Sequence, residues 1–356
     1  GHIRPYTALQ KCCVWTILFF ISFSYAQNDT KFQQIGRSDL PLEEKIKRAD
    51  SLLAIAENSQ KDSLMYFYQD YGYWLYDANK RSESVKYESL ALEEAKKNTA
   101  ENKAFIQKSS LYLGFYLAQT NQLRKAVQAY REVLLIDDSN DNASKANQQI
   151  GTKYLELQDY YKGVIHLQEA ATYLEKNKVR PNNLFTVYIN LILAHRILGE
   201  DPKFSEAKSY VKSADSLLNT IGVSPSKKYD FYLNAAQVYN QYTSLDISEA
   251  NDYYDKALEM SEQLSDSNKI KKIYFEKGML YNTTDLEKSL HHFDVSDAYV
   301  KKDDTLGQFY SKYGRGLAYS LFGEFENATL NSSEALRILL PLDIDNLRNI
   351  TASQLE

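Results

Sequence analysis

The chain has 356 residues, with 42 Lys and Arg against 47 Asp and Glu and a formal net charge of −5. Such a mildly acidic surface argues against nucleic-acid binding by this segment. Two cysteines offer no disulfide framework and no cysteine-metal site, and six prolines with thirteen glycines suit a helical chain without long flexible linkers.

In chain order, residues 1–26 read as a secretion signal. Arg4 and Lys11 supply a positive start, Cys12 to Phe23 an apolar run, and Ser24-Tyr25-Ala26 an end with small residues where a signal peptidase cuts. The run is shorter than the roughly 20 apolar residues that span a bilayer. An uncleaved membrane anchor is the competing account. Cys12 and Cys13 precede the run and are badly placed for lipid attachment after cleavage. Without residues 1–26, which carry Arg4, Lys11 and both cysteines, the net charge goes from −5 to −7 and no cysteine remains.

Residues 27–62 are expected to hold a polar, loose leader (Asn28 to Leu40) and then one amphipathic capping helix. Its apolar side is Leu42, Ile46, Ala49, Leu52 and Leu53. From 63 to 340 the sequence repeats. Leu113 to Val133 shows the unit most clearly. Leu113, Gly114 and Leu117 share one helical face, Thr120-Asn121-Gln122 breaks the pattern, and Ala126, Tyr130 and Val133 form a second face. Two amphipathic helices joined by so short a turn lie antiparallel. Small residues at 114 and 126 let the two backbones approach.

The pattern recurs around Gly72 (then Ser84 and Ala91), Gly151 (Gly163, Leu167, Ala170) and Ile192 (Ala207, Val211, Ala214). It returns around Ala236 (Ala250, Tyr254, Ala257), Gly278 (Ser289, Phe293, Ser296) and Gly316 (Ala328, Ala335). The pitch is roughly 40 residues, which marks a repeat architecture. Asp137 to Asn142, Lys178 to Pro181 and Gly222 to Pro225 read as separators between pairs. Asp201-Pro202-Lys203 and Thr243 to Asp246 read as longer turns within pairs. Residues 341–356 read as the start of a further repeat or a C-terminal cap.

These L-G-x-x-Y/L and A-x-x-x-Y-x-x-A/V helices resemble the tetratricopeptide repeat (TPR). The resemblance implies an all-α solenoid of about seven antiparallel helix pairs in a right-handed superhelix, whose first helices line a concave groove. By that resemblance the groove residues are Tyr66, Gln69, Tyr73 and Tyr76 in the first pair, Lys108 and Phe115 in the second and Gln148 in the third. Arg196 follows in the fourth, Gln237 and Asn240 in the fifth, Lys272 and Asn282 in the sixth, and Tyr310 in the seventh. Amide and tyrosine side chains bond a peptide backbone while offering rigid apolar area. Tyr154, Tyr239, Tyr281 and Tyr319, with Tyr130 and Tyr254, are assigned to the core. The carboxylate clamp of chaperone-binding relatives needs paired Lys and Asn, and Gln69, Tyr73, Leu111 and Phe115 do not match it.

No phosphate loop, catalytic grouping or cofactor motif can be read. Gly314-Arg315-Gly316 sits in a helical pattern, His291 and His292 point different ways on a helix, and His195 is expected in the core. No enzyme activity and no cofactor are expected. The partner is expected to be a protein or peptide in the groove, with membrane contact only through an uncleaved signal or a downstream segment. Signal, long Tyr-rich repeats and an unfinished last repeat look like the exported TPR input regions of Bacteroidota-type sensor histidine kinases or helix-turn-helix regulators. A free-standing periplasmic scaffold is the alternative.

Overall fold

The computed structural model describes residues 31–59, 64–199, 204–241 and 245–340. The expected signal segment, the Asp201-Pro202-Lys203 turn, the first half of the Thr243 to Asp246 turn and residues 341–356 lie outside them. The described residues form sixteen helices and no strand. None of these helices is long and apolar enough to cross a membrane. The chain divides into two compact units, one ending at Asp138 and the other beginning at Ser139.

The first unit holds α1 (Lys31–Arg37), α2 (Leu42–Ser59), α3 (Leu64–Asp77), α4 (Arg81–Lys96), α5 (Lys103–Gln119) and α6 (Leu123–Ile136). Each helix packs on the next, most extensively within the pairs α3/α4 and α5/α6. The core gathers Ile46, Ala49, Trp74, Leu75, Ala91, Leu92 and Ile106. Tyr68 Oη donates to Glu57 and Tyr71 Oη to Asp50, tying α2 over α3. The leader differs from expectation, because residues 31–37 are helical. Ile35 packs against the core, Gly36 fits under the Trp74 indole, and Lys45 Nζ donates to the Gly36 carbonyl at 3.0 Å. Tertiary contact holds a helix too short to be stable alone.

The second unit holds α7 (Asp141–Glu156), α8 (Tyr160–Asn177), α9 (Pro181–Leu198), α10 (Phe204–Leu218) and α11 (Pro225–Tyr239). It continues with α12 (Ile247–Gln263), α13 (Ser267–Tyr281), α14 (Leu286–Asp297), α15 (Thr305–Leu321) and α16 (Phe325–Leu339). Consecutive helices pair again, and first helices also touch first helices: α7 meets α9, α9 meets α11, and α13 meets α15. The core runs through Leu167, Phe185, Leu191, Val211, Phe231, Ala236, Tyr254 and Leu280. His195 is buried, as are Tyr154, Tyr239, Tyr130 and Tyr254, whereas Tyr281 and Tyr319 are half-buried.

Polar residues set where the helices begin. Asn140, Asp159, Ser224, Asp246, Asp266, Asp285 and Asp304 each accept a backbone N–H of the first turn. Pro181 and Pro225 open α9 and α11, where a missing N–H costs nothing. Four of the turns inside pairs share one device. The N–H of Lys80, Gln122, Asp159 and Glu324 closes on the carbonyl of Leu75, Leu117, Tyr154 and Tyr319 at 2.8–2.9 Å. The residue before each donor, Asn79, Asn121, Gln158 or Gly323, takes positive φ. This is the 6→1 closure of a Schellman turn, and it reverses the chain in three residues.

Candidate functional site

In the second unit the polar faces of successive first helices are stitched together. Asn183 donates to Gln148 Oε1 at 3.1 Å, Asn190 to Thr152 at 3.3 Å, and Lys227 Nζ to Thr186 at 2.9 Å. Further along, Gln241 donates to the Arg196 carbonyl and Gln237 Nε2 to Glu276 Oε1, both at 2.9 Å. Tyr254 reaches the same place from α12. Its hydroxyl donates to Glu276 Oε2 at 3.3 Å and accepts from Asn240 Nδ2 at 3.2 Å. Three predicted residues, Arg196, Gln237 and Asn240, therefore share the neighbours Glu276 and Tyr254. The half-buried Arg196 guanidinium makes no hydrogen bond or ion pair among the described residues, and its Nε is buried. Burial lowers its pKa from the ordinary value, against the charge of Glu276.

Two amides of this unit are not on an open face. Gln148 and Asn282 are buried, and Gln148 already accepts from Asn183. Lys272 is exposed. Tyr310, 48% exposed, sets its ring against Phe275 at 5.6 Å.

In the first unit the predicted aromatics pack on one another. Tyr66 meets Phe105 edge-on at 5.0 Å, and Tyr76 stacks on Tyr116 at 5.0 Å with Phe115 at 5.3 Å. Tyr73 is half-buried. Gln69 departs from expectation, being only 7% exposed. It turns inward because Glu88, reaching from α4 between α3 and α5, draws it. Gln69 Nε2 at 3.3 Å and Ser109 Oγ at 2.6 Å both donate to Glu88 Oε1. Glu88 has no solvent exposure, and its Oε2 has no hydrogen-bond partner. Desolvation pushes its carboxyl up to about 8, against the two hydrogen bonds and the charge of Lys108. Asp70, half-buried on α3, is pushed by desolvation up to about 6. Lys108 on α5 is half-buried, is lowered by desolvation, and sits 5.8 Å from the Tyr112 ring centroid. Asp70, Glu88 and Lys108 feel one another's charge, yet none forms an ion pair with another.

Sequence reasoning missed Glu88, Asp70, Tyr112 and Glu276. A signal existed for Glu88. Tyr130 follows Gly114 by 16 residues, as Leu167 follows Gly151, and Glu88 stands at that distance after Gly72. An acid in a slot filled elsewhere by large apolar groups breaks the pattern. Among the described residues no three His, Cys, Asp or Glu side chains gather as metal ligands.

No family model matches the chain, and no curated protein matches it. Solved structures do. The C-terminal part of a TPR repeat-containing protein from Cytophaga hutchinsonii is 16% identical over 78% of this chain and 96% of that one, with a TM-score of 0.52. Aspartyl phosphate phosphatase F from Bacillus subtilis is 14% identical over 93% and 89%, at 0.51. The apo form of RapI is 11% identical over 77% and 98%, also at 0.51. Likeness at these identities defines the fold, a helical repeat of the TPR type.

Proposed function

We propose that this chain is an exported module that binds a peptide or protein along its first-helix face, as the sensory input region of a signalling protein. The observation that carries the binding role is Arg196. A half-buried guanidinium with no hydrogen bond or ion pair of its own stands within electrostatic reach of Glu276 and the Tyr254 hydroxyl. Arginine offers five donors in a planar fork, suited to carboxylates and backbone carbonyls. Glu276 gives the complementary acceptor for a peptide N–H. The exported role rests on residues 1–26 and the sensory role on the resemblance of the repeats.

Capture of partners from a periplasmic extract tests the binding role. Arg196→Ala removes no internal bond made by the guanidinium, so the variant is expected to melt like the wild type. It is expected to hold its partner with an affinity lower by about 1–2 kcal/mol or more, as for a hot-spot arginine. Retention of every partner at wild-type affinity by the folded variant overturns the assignment.

A further inference from the structure

We propose that residues 341–356, outside the described residues, dock as an eighth first helix on the exposed face of α15 and α16, with Leu347 seated on Leu336 and Ile350 beside Ser332. The proposal concerns the last described pair and is independent of the Arg196 site.

The face is apolar and uncovered among the described residues. Leu336 is 46% exposed and Tyr313 45%, and Phe325, Leu330 and Leu339 of α16 are exposed as well. In a stacked repeat, apolar residues left open by one pair are covered by the next unit. The pair before shows how. There α15 packs on both α13 and α14. Ser311 Oγ donates to Asp297 at 2.9 Å, and Arg315 pairs with Asp294 at 2.9 Å and Asp297 at 2.6 Å. The Phe293 ring fills the space over Gly314, where a methyl would stand 2.7 Å from it. Gly278 abuts Phe293 as Gly316 abuts Ser332, which sets the register of α14 against α16. In that register Phe293, Asp294 and Asp297 become Ser332, Ser333 and Leu336. The groups that receive α15 are thus all exchanged together on α16.

The segment after Leu340 carries the reciprocal exchange. The interval from Pro341 to Ala352 equals those from Pro181 to Ile192 and from Pro225 to Ala236. Ala352 thereby takes the place of Gly316, and Ser311, Gly314 and Arg315 become Leu347, Ile350 and Thr351. Leu347 meets Leu336 where Ser311 meets Asp297 in the preceding pair. Ile350 supplies the bulk that Phe293 supplies from the opposite side. Thr351 carries no charge, and the two aspartates that would have paired one are gone. The place of Leu347 is buried in every described first helix, Val187, Phe231 and Ile273 among them. A charge left on one side alone would be buried without a partner, and neither side retains one.

Amide hydrogen exchange on the full chain, read by mass spectrometry of its peptides, tests the docking. Residues 344–355 are expected to exchange at least about tenfold more slowly in the native protein than in denaturant. Leu336→Asp sets a carboxylate against Leu347 and is expected to abolish that protection, while α13 and α14 keep theirs. Leu347→Asp acts from the other side and leaves α15 and α16 unaltered, so it carries the test should Leu336→Asp free α16 itself. Asn349→Asp adds the same charge at the place Tyr313 holds in α15, away from the preceding pair, and is expected to keep the protection. Absence of protection in the wild type overturns the proposal. So does protection that survives both Leu336→Asp and Leu347→Asp, or that Asn349→Asp abolishes equally. Protection that rises with protein concentration assigns the face to a second copy and overturns it too.

Discussion

At the scale of single residues, burial of Glu88 has a consequence for stability that does not depend on any ligand. Its carboxyl is raised in the folded chain from 4.5 to about 8 by desolvation, with Asp70 on α3 and Lys108 on α5 the charged groups facing it. The folded state therefore holds the proton more tightly than the unfolded chain. The stabilisation is complete below pH 4.5 and is lost as pH rises toward 8. Asp70, raised from 3.8 to about 6, acts with the same sign at lower pH. His292 acts oppositely. It is lowered from 6.5 to about 4, and its contribution is lost as pH falls through that window. Above pH 6.5 the windows of Asp70 and His292 have been passed, and of these three groups Glu88 alone is still titrating up to pH 8. Denaturant melts at the two ends of this interval are expected to show a less stable wild type at pH 8, whereas Glu88→Gln changes little between them. Equal slopes for the two proteins contradict the buried-acid assignment.

At the scale of helix against helix, the pairs close through small residues on the first helix and large ones on the second. A methyl on Gly114 would stand 2.5 Å from Cε1 of Tyr130, and one on Gly278 2.5 Å from Cε1 of Phe293. The Tyr130 ring is only 2% exposed and has no room to withdraw. Gly114→Ala gains about 1 kcal/mol of helix propensity. Overpacking typically costs about 1–3 kcal/mol and is expected to win here. Gly222→Ala, with nothing within 4 Å of the new methyl, is the control and is expected to stay within about 0.5 kcal/mol of wild type. Chemical denaturation of both variants checks the ranking. A stabilised Gly114→Ala would mean that the α5/α6 crossing is looser than these distances.

At the scale of the molecule, stability comes from neighbour interfaces, so whole pairs are the units that add or subtract. Removing residues 225–266, which carry α11 and α12, takes out one complete pair of the second unit. The shortened chain is expected to remain helical and to unfold cooperatively. Removing 247–266 alone strips α12 from α11 and leaves Phe231 and Ala236, both buried against this core, without their covering helix. That chain is expected to lose helix beyond the residues deleted. Circular dichroism separates the two outcomes, and equal loss per residue removed would rule out the repeat as the energetic unit.

The sequence by itself determined the helices, their turns and most of the large core residues. Those features follow from local periodicity, and each repeat restates the same interaction, so Ala126, Tyr130 and Tyr254 declared their slots. The Asx-capped starts and the three-residue turns were equally local. Tertiary structure decided what lies beyond one pair's own spacing. Helix α1 is seven residues long and carries too little period to stand out, and the Trp74 ring and Ile35 contacts hold it. Gln69, Gln148 and Asn282 occupy face positions by register, yet they are buried. For Gln69 and Gln148 the cause is a neighbouring helix that supplies a bonding partner, Glu88 for one and Asn183 for the other. The Asp70–Glu88–Lys108 cluster draws on three helices, and no spacing along one chain segment encodes how near their charges come. A charge's meaning depends on which neighbours exclude water from it, and that exclusion exists only once the helices have packed.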